Sequence, residues 1–243
     1  MITKLKKKVL RILIVGLSLT VLASATVSAS EDPFEPLNRR IFEFNEGADA
    51  ILLKPVAVVY NNVVPTPLRR GFGNVYENLS DVNGAINAAL QGRPKRAADN
   101  TGRVLLNTTI GLFGLFDVAS EMGIERYETD FGHTMARWGI PEGPYVMVPF
   151  LGPRTMRSGV GDGIDSFMSG QDALFEDEVT WSARAWRSLE FRAQVLEAEE
   201  LITGDRYVFI RDAYLQSREA LVNDGVVVDS FSDFEEDDWG EDF

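Results

Sequence analysis

Two long segments of the chain place apolar residues at steps of three and four, the spacing that puts side chains on one face of an α-helix. In the first segment these residues are Leu37, Ile41, Phe44, Ala48 and Ile51. The second and longer set is Leu68, Phe72, Val75, Leu79, Val82, Ile86 and Leu90. The spacing therefore predicts two amphipathic helices, each with one apolar face.

Proline marks where these helices start and stop. Asp32 is predicted as the N-cap of the first helix, with Pro33 as its first helical residue, and Thr66 with Pro67 repeats this arrangement for the second. Pro55 is expected to interrupt the first helix. Further helices are predicted over residues 94–110, 155–168, 179–202 and 205–222. The chain is therefore expected to form one all-α domain.

A segment rich in glycine and proline separates the two groups of helices. Residues 139–153 contain seven Gly or Pro in fifteen positions, so a regular helix cannot run through them. An extended loop with a short strand at residues 145–148 is expected here.

Both ends of the chain differ from this central part. Residues 1–29 have a basic start, an apolar run from Ile12 to Ala25 and a small-residue cleavage site, so they are predicted to be a secretory signal peptide. A retained anchor helix is the alternative, although the run is shorter than the about 20 residues that span a bilayer. Residues 226–243 are rich in acids and are predicted to be a disordered tail.

Charge and composition exclude several classes of function. The chain has 24 Lys and Arg against 37 Asp and Glu, so it is not expected to bind nucleic acid or to reach anionic headgroups by charge alone. It has no Cys, which excludes disulfides, thiolate nucleophiles and zinc–thiolate sites. Contact with a membrane would have to be apolar.

Catalytic motifs are weak. Asp130-Phe131-Gly132 matches a kinase magnesium motif, but the other kinase motifs do not accompany it. His133, the only histidine, has Asp130 nearby, but no Gly-x-Ser-x-Gly elbow supplies a nucleophile. We expect no enzyme, cofactor or metal site, and an esterase that uses His133 is kept as a rival hypothesis.

The segment Gly111-Leu112-Phe113-Gly114-Leu115-Phe116 fits neither helical nor strand periodicity. One interpretation is a buried loop or short core helix. The other is an exposed turn that contacts lipid, because exposed apolar clusters of this size usually mark an interaction site.

Short motifs spread along the chain resemble one protein family. They are Asp32-Pro33-Phe34-Glu35-Pro36-Leu37-Asn38-Arg39, Phe42-x-Phe44-Asn45, Pro65-x-Pro67-x-Arg69, Asn107-Thr108-x-x-Gly111 with the apolar segment after it, Asp130-Phe131-Gly132-x-Thr134, Gly143-Pro144-Tyr145 and Arg211-Asp212-Ala213-Tyr214. Together they resemble the MlaA/VacJ family of outer-membrane lipoproteins over residues 32–225. The resemblance implies a family-type helical domain over residues 30–225.

The resemblance also implies a function. Such proteins form a ring of amphipathic helices around a pore, embedded in the inner leaflet of the outer membrane. They remove mislocalised glycerophospholipids from the outer leaflet and pass them to the periplasmic lipid-binding protein MlaC, together with a trimeric porin. This chain is thus expected at the periplasmic side of the outer membrane. A periplasmic adaptor that binds a porin or envelope complex and moves no lipid is the alternative.

Roles for single residues follow as hypotheses. Lipid contact is predicted for Phe34, Phe42, Phe44, Leu112, Phe113, Leu115 and Phe116, with core packing equally open for Phe44. Polar or structural roles near the pore are predicted for Asn38, Arg39 and Asn45. The family-motif loops contain Asp130, Phe131, Gly132, Gly143, Pro144 and Tyr145.

The chain departs from the family at two positions. Ala25 stands where the family's lipobox has its acylated Cys, so lipidation is not expected. Ser158 follows Arg157 where the family usually has an acid.

Overall fold

The computed structural model describes residues 32–168, 177–196, 199, 202 and 204–224, and within them the chain is mostly helical. The first helices are α1 (Glu35–Ala48), a π-helical turn (Asp49–Leu53), α2 (Lys54–Val63), α3 (Thr66–Leu90), α4 (Pro94–Thr109), α5 (Val118–Glu121) and α6 (Phe131–Arg137). The strands β1 (Tyr145–Val148) and β2 (Gly152–Thr155) follow, and then α7 (Met156–Met168), α8 (Asp177–Val195) and α9 (Arg206–Val222). The all-α prediction is confirmed. The predicted signal peptide and tail lie outside the described residues, and the ring shape stays a prediction.

Several helix boundaries agree with the sequence. The helices predicted over 94–110 and 155–168 differ by one residue from α4 and α7. Asp205 caps α9, and its carboxylate accepts the backbone N–H of Tyr207 at 3.0 Å. The prediction that α8 runs to residue 202 was wrong. Its last residue is Val195, and the carboxylate of Glu199 beyond it accepts hydrogen bonds from Arg192 in α8 and Arg206 in α9.

The start of the first helix differs from the prediction. The helix begins at Glu35, and Pro36 rather than Pro33 lies in its first turn. Phe34 rather than Asp32 is the N-cap. The carboxylate of Asp32 instead accepts the side-chain amide of Asn38 at 2.9 Å and the N–H of Phe34. The interruption at Pro55 takes the form of the π-helical turn, which runs directly into α2 with Pro55 in its first turn.

The long helix α3 buries a polar and small-residue face rather than the apolar stripe. Leu68, Phe72 and Leu90 of the predicted stripe are exposed. The buried residues of α3 are Gly71, Gly73, Asn78, Asp81, Gly84, Asn87 and Ala88. The helix is amphipathic as predicted, but polar partners on α4, α7 and the connecting loops cover its polar side.

This inversion extends beyond α3. Fully buried side chains among the described residues include Arg103, Asn38, Asn87, Asn100 and Thr134. Large apolar side chains are exposed on several elements, and they include Leu37, Phe44, Ile51, Leu52, Val59, Val63, Leu105, Ile110, Phe113 and Phe150. Soluble proteins usually bury such residues and expose polar ones. The described part of this chain is built the opposite way.

Two small apolar clusters complete the interior. In the first, Ala57 and Tyr60 of α2 pack against Ala193 of α8. In the second, Tyr145 and Met147 of β1 pack against Tyr207 of α9. These clusters fasten α8 and α9 to the rest of the described chain.

The glycine- and proline-rich segment forms a β-hairpin that two asparagines hold against α1. The predicted strand at residues 145–148 is confirmed, and it pairs antiparallel with β2. Asn38 donates to the carbonyl of Tyr145 at 3.2 Å and accepts the N–H of Met147 at 2.8 Å. Two turns further along α1, Asn45 donates to the carbonyl of Val148 and accepts the N–H of Phe150. The edge of β1 is thereby paired with side-chain amides.

Asn38→Ala is expected to lower the free energy of unfolding by about 3 kcal/mol, because it leaves buried backbone groups of β1 without partners. Urea unfolding of the detergent-solubilised protein measures the loss. Asn62→Ala, at an exposed asparagine of α2, is the matched control and should change little. Equal effects of the two substitutions would show that the asparagine clamp does not stabilise the hairpin.

Candidate functional site

The apolar segment after α4 is an exposed turn. Leu112 and Phe113 have φ values of 53° and 60°, in the left-handed region that side chains other than glycine rarely adopt. The side chains of Leu112, Phe113 and Phe116 are exposed, and Phe113 is 79% exposed. The interpretation of this segment as a buried loop or core helix was therefore wrong. Leu115 differs, because it packs over Gly71 of α3.

Buried polar groups hold this turn in place. The backbone N–H of Gly114 donates to the carbonyl of Asn107 at 2.7 Å, and the side-chain amide of Asn107 accepts the N–H of Ala119 and donates to Asp117. Gly114 has φ 90°, and a side chain there would collide with Asn78. Hydrogen bonds among buried polar groups therefore fix the turn that carries the exposed apolar residues.

Asp117 links the turn to an ion-pair network. It caps α5 and accepts two hydrogen bonds from the guanidinium of Arg103, both at 3.0 Å. Arg103, which is 1% exposed, also donates to Asp81 of α3, and Arg126 donates to the other oxygen of Asp81 at 2.8 Å. Burial opposes ionisation of Asp117, but hydrogen bonds from Ser120, Asn107 and Arg103 hold its pKa at about 2. The buried guanidinium of Arg103 is therefore matched by the ionised carboxylate of Asp117.

The three phenylalanines predicted near the N-terminus have different environments. Phe34 and Phe44 are exposed, and Phe44 stacks edge-on with the ring of Phe150 at 5.1 Å between centroids. Phe42 instead packs against Tyr207 in the second apolar cluster, with 5.7 Å between ring centroids. Exposed apolar surface thus joins α1 to the tip of the hairpin.

The predicted polar residues of α1 have contacts that stabilise the fold. Asn38 and Asn45 hold the hairpin, as described above. Arg39 forms ion pairs with Glu35 at 2.7 Å and Asp205 at 2.8 Å, and its guanidinium lies over the ring of Tyr207. Of the two roles predicted for these residues, these contacts fit the structural one.

The first family-motif loop joins α6 to α7 and α9. Asp130 caps α6 by accepting the N–H of His133, and it pairs with the guanidinium of Arg218 from α9. The N–H of Phe131 donates to Asp165 of α7 at 2.7 Å. Gly132 lies against Gly161, so close that a side chain at Gly161 would collide with the backbone of residues 131 and 132.

The second family-motif loop sets the entry to the hairpin. Gly143 has φ 72°, and a side chain there would collide with Met156. The carbonyl of Pro144 accepts the N–H of Met156 at 3.1 Å, and Tyr145 begins β1. At the position where the family's acid is missing, Ser158 is buried and its hydroxyl lies 2.7 Å from that of Tyr214.

His133 is not arranged as a catalytic base. Its Nδ1 lies 3.0 Å from the hydroxyl of Thr129, and the Asp130 carboxylate accepts the backbone N–H of His133 and pairs with the guanidinium of Arg218 rather than with the imidazole ring. A Ser-His-Asp arrangement needs a carboxylate on one ring nitrogen and a serine on the other. The described residues do not form one around His133, and within the same ranges no group of three or more His, Asp or Glu side chains is placed to hold a metal ion.

Two polar cavities adjoin each other along α3. One, of about 230 Å³, is lined by Tyr76, Asp81, Arg126 and Arg187, and the other, of about 270 Å³, by Tyr60, Arg69, Arg70 and Glu190. Glu77 of α3 borders both cavities. The sequence analysis did not predict these cavities, because their lining residues are dispersed over α2, α3, α8 and the loop before α6 and together form no local motif.

Comparison with known proteins shows similarity over most of the chain. The family model described as MlaA lipoprotein matches residues 30–221. The chain is 33% identical to the intermembrane phospholipid transport system lipoprotein MlaA of Escherichia coli (strain K12), covering 89% of this chain and 90% of that protein. It is 30% identical to the protein of the same name from Haemophilus influenzae, covering 92% and 94%.

A solved structure is also similar. It comes from work described as "Structural basis for maintenance of bacterial outer membrane lipid asymmetry" and superposes with a TM-score of 0.70 at 33% identity. The match covers 79% of this chain and all of that chain.

The neutral state of His133 predicts a pH dependence of stability. Burial lowers the pKa of His133 to about 4, whereas the unfolded chain titrates near the ordinary value of about 6.5. As the pH falls, the unfolded state therefore takes up the proton before the folded state does. The contribution of His133 to the free energy of unfolding is complete above pH 6.5 and is lost as the pH falls towards 4. The loss amounts to about 3 kcal/mol.

His133→Gln should remove this part of the pH dependence. Urea unfolding at several values between pH 7 and pH 4 measures the free energy of unfolding of both proteins. The carboxylates contribute equally to the two, so the difference between the proteins reports His133 alone. Parallel curves for the two proteins would contradict the burial of a neutral imidazole.

Proposed function

Because this chain belongs to the MlaA lipoprotein family, we propose that it removes mislocalised glycerophospholipids from the outer leaflet of the Gram-negative outer membrane and transfers them to a periplasmic lipid carrier, which maintains lipid asymmetry. The relatives are named as components of an intermembrane phospholipid transport system, and the similar solved structure concerns lipid asymmetry of the outer membrane. Among the described residues, His133 bonds to the hydroxyl of Thr129 and lacks the carboxylate and serine partners of an esterase site, so the esterase hypothesis gains no support there.

The inverted distribution of side chains carries this proposal. In water, an exterior rich in exposed Leu, Ile, Val and Phe would promote aggregation. In a bilayer the same exterior is favourable, and polar groups must then be satisfied inside the protein. Arg103, Asp81 and Asp117 are satisfied in this way by one another.

Short apolar segments provide the membrane contact in this proposal. The most exposed of the large apolar side chains lie at turns, with Ile51 in the π-helical turn, Phe113 in the turn after α4 and Phe150 at the tip of the hairpin. Such segments enter one leaflet at the level of the upper acyl chains. Among the described residues, no helix is both long and apolar enough to cross a bilayer. Because the sequence contains no Cys, we propose that these segments replace the acyl anchor.

The adjoining cavities along α3 are proposed as the path of the headgroup. A phospholipid that leaves a leaflet needs polar groups for its head and apolar surface for its chains. The cavities supply charged groups of both signs, and exposed apolar residues of α3, such as Leu68 and Phe72, flank them on the same helix. A trimeric porin and a periplasmic carrier of the MlaC type are the proposed partners.

Envelope fractionation and lipid mass spectrometry test the proposal. The full chain, expressed with its own leader in a Gram-negative host, should fractionate with the outer membrane, and the protein purified from it should retain glycerophospholipid. A soluble periplasmic protein without bound lipid would contradict transport and favour the adaptor alternative.

Replacing the exposed phenylalanines of the turn should weaken membrane binding without unfolding the protein. Phe113→Asp and Phe116→Asp each remove an apolar side chain whose transfer from water into lipid contributes about 2–3 kcal/mol. Partitioning into vesicles should therefore fall at least about tenfold for each. Vesicle co-flotation measures the partitioning. Gln216→Asp, at an exposed position of α9, adds the same charge and should have little effect. Unchanged flotation of the turn variants would overturn the insertion of this turn.

A further inference from the structure

The larger cavity along α3 contains polar groups that lack partners. It has a volume of about 270 Å³ and lies where α2, α3 and α8 meet. The hydroxyl of Tyr60, Nε of Arg69 and Oε2 of Glu190 are buried and have no hydrogen-bond partner among the described residues. All three residues line this one cavity. Buried polar atoms in proteins are nearly always paired, so a cluster of three unpaired atoms suggests a missing ligand.

Glu190 is the most unusual of the three. Its side chain belongs to α8 and the residue is only 5% exposed. Arg187 Nη1 lies 3.9 Å from Oε2, beyond hydrogen-bond distance. Glu190 Oε1 would lie 2.7 Å from a Cβ atom placed on Gly73, so the absence of a side chain at Gly73 leaves room for the carboxylate. Burial raises the pKa of Glu190 and the negative charge of Glu77 adds to this effect, although the nearby cations Arg187 and Arg69 oppose it.

The cationic side of the cavity is also incompletely neutralised. Arg69 donates to the neutral oxygens of Asn61 and Thr66 rather than to a carboxylate. Arg70 is exposed and forms no ion pair with any described residue. In contrast, Glu77 on the same wall is already paired with Arg126 at 2.8 Å. The cavity therefore offers two guanidinium groups that donate to no carboxylate among the described residues, and one carboxyl group whose paired cation, Arg187, lies beyond hydrogen-bond distance.

We propose that this cavity binds a zwitterionic phosphate–ammonium group, the headgroup of an aminoethyl phospholipid, with the phosphate at Arg69 and Arg70 and the ammonium at Glu190. Arginine suits the phosphate because its planar N–H groups match phosphate oxygens. A simple anion would leave Glu190 without a hydrogen-bonded cation, and a simple cation would leave both arginines without an anionic partner. This inference rests on the proposed function and adds a headgroup preference to it.

Binding of two lipids that differ only in the headgroup tests the proposal. The full chain in detergent is titrated with a fluorescent short-chain phosphatidylethanolamine and with phosphatidylglycerol that has the same acyl chains. The wild-type protein should bind phosphatidylethanolamine about tenfold more tightly, the effect of one charge-assisted hydrogen bond. Glu190→Gln should abolish this preference, whereas Arg70→Gln should weaken binding of both lipids by a similar factor.

Matched controls separate local from general effects. Glu43→Gln on α1 and Arg137→Gln on α6 neutralise exposed residues that do not line the cavity, and both variants should keep the wild-type preference. Arg70 is exposed, so its substitution is not expected to disturb folding, and circular dichroism of every variant verifies this.

Each outcome decides a separate point. A preference that survives Glu190→Gln, or a wild-type protein that binds both lipids equally, overturns the headgroup site while transport stands. A protein that binds neither lipid overturns the proposed function itself.

Soluble O-phosphoethanolamine should compete weakly, because it lacks acyl chains. If it bound as tightly as the lipid and depended on Glu190, the zwitterion chemistry would be supported but its assignment to a lipid would be overturned.

Discussion

The rest of the structure depends on the buried guanidinium of Arg103, which connects α4 to α3, to α5 and to the loop that follows α5. From α4 it donates to Asp81 in α3 and to Asp117 at the start of α5, and it reaches the carbonyl of Ile124 at 2.8 Å. Buried ion pairs stabilise a protein only when all their hydrogen bonds are made, and here they are made by several partners at once. Removing any partner would leave a buried charge, so α3, α4 and the chain that follows them must stay together.

This polar interior determines what the exterior can be. The side chains that pair with one another occupy the inner faces of α3 and α4, and exposed apolar residues such as Leu68, Phe72 and Leu105 lie on other faces of these helices. Asn107 and Asp117 also support the turn that presents Phe113, so the same network that fills the interior positions the most exposed apolar residue of that turn. Under the proposed function, a bilayer receives the apolar side and leaves the ions enclosed.

Sequence patterns predicted the elements better than their orientation. Proline, Asp205 and the apolar spacing located most helices, because these signals act within one or two turns. The same spacing on α3 could not say whether the apolar or the polar face is buried, because that depends on Arg103 and Asp165, which are distant in sequence. The short helices α5 and α6 were not predicted, since four and seven residues are too few to show a period. Strand β2 was missed because its Gly152-Pro153 start is typical of a loop.

The candidate site shows the same limit. The exposed turn was one of two interpretations that its composition left open, and the resemblance pointed to Asn38 and Asn45, whose contacts hold the hairpin. The cavity around Glu190 could not be predicted, since Tyr60, Arg69 and Glu190 come from three helices. What distinguishes them is that each has a buried polar atom without a partner among the described residues, which the sequence does not show.

Fluorescence quenching in vesicles tests most directly whether the apolar exterior lies in lipid. Because the sequence has no native Cys, single substitutions Ile51→Cys, Phe113→Cys and Phe150→Cys each accept one bimane label, and Gln216→Cys on α9 serves as the reference. The vesicles contain phospholipids brominated in the upper acyl chain. Strong quenching at the three apolar positions and weak quenching at the reference are predicted. Labels at all four positions that remain equally unquenched would contradict a protein whose apolar side faces the membrane.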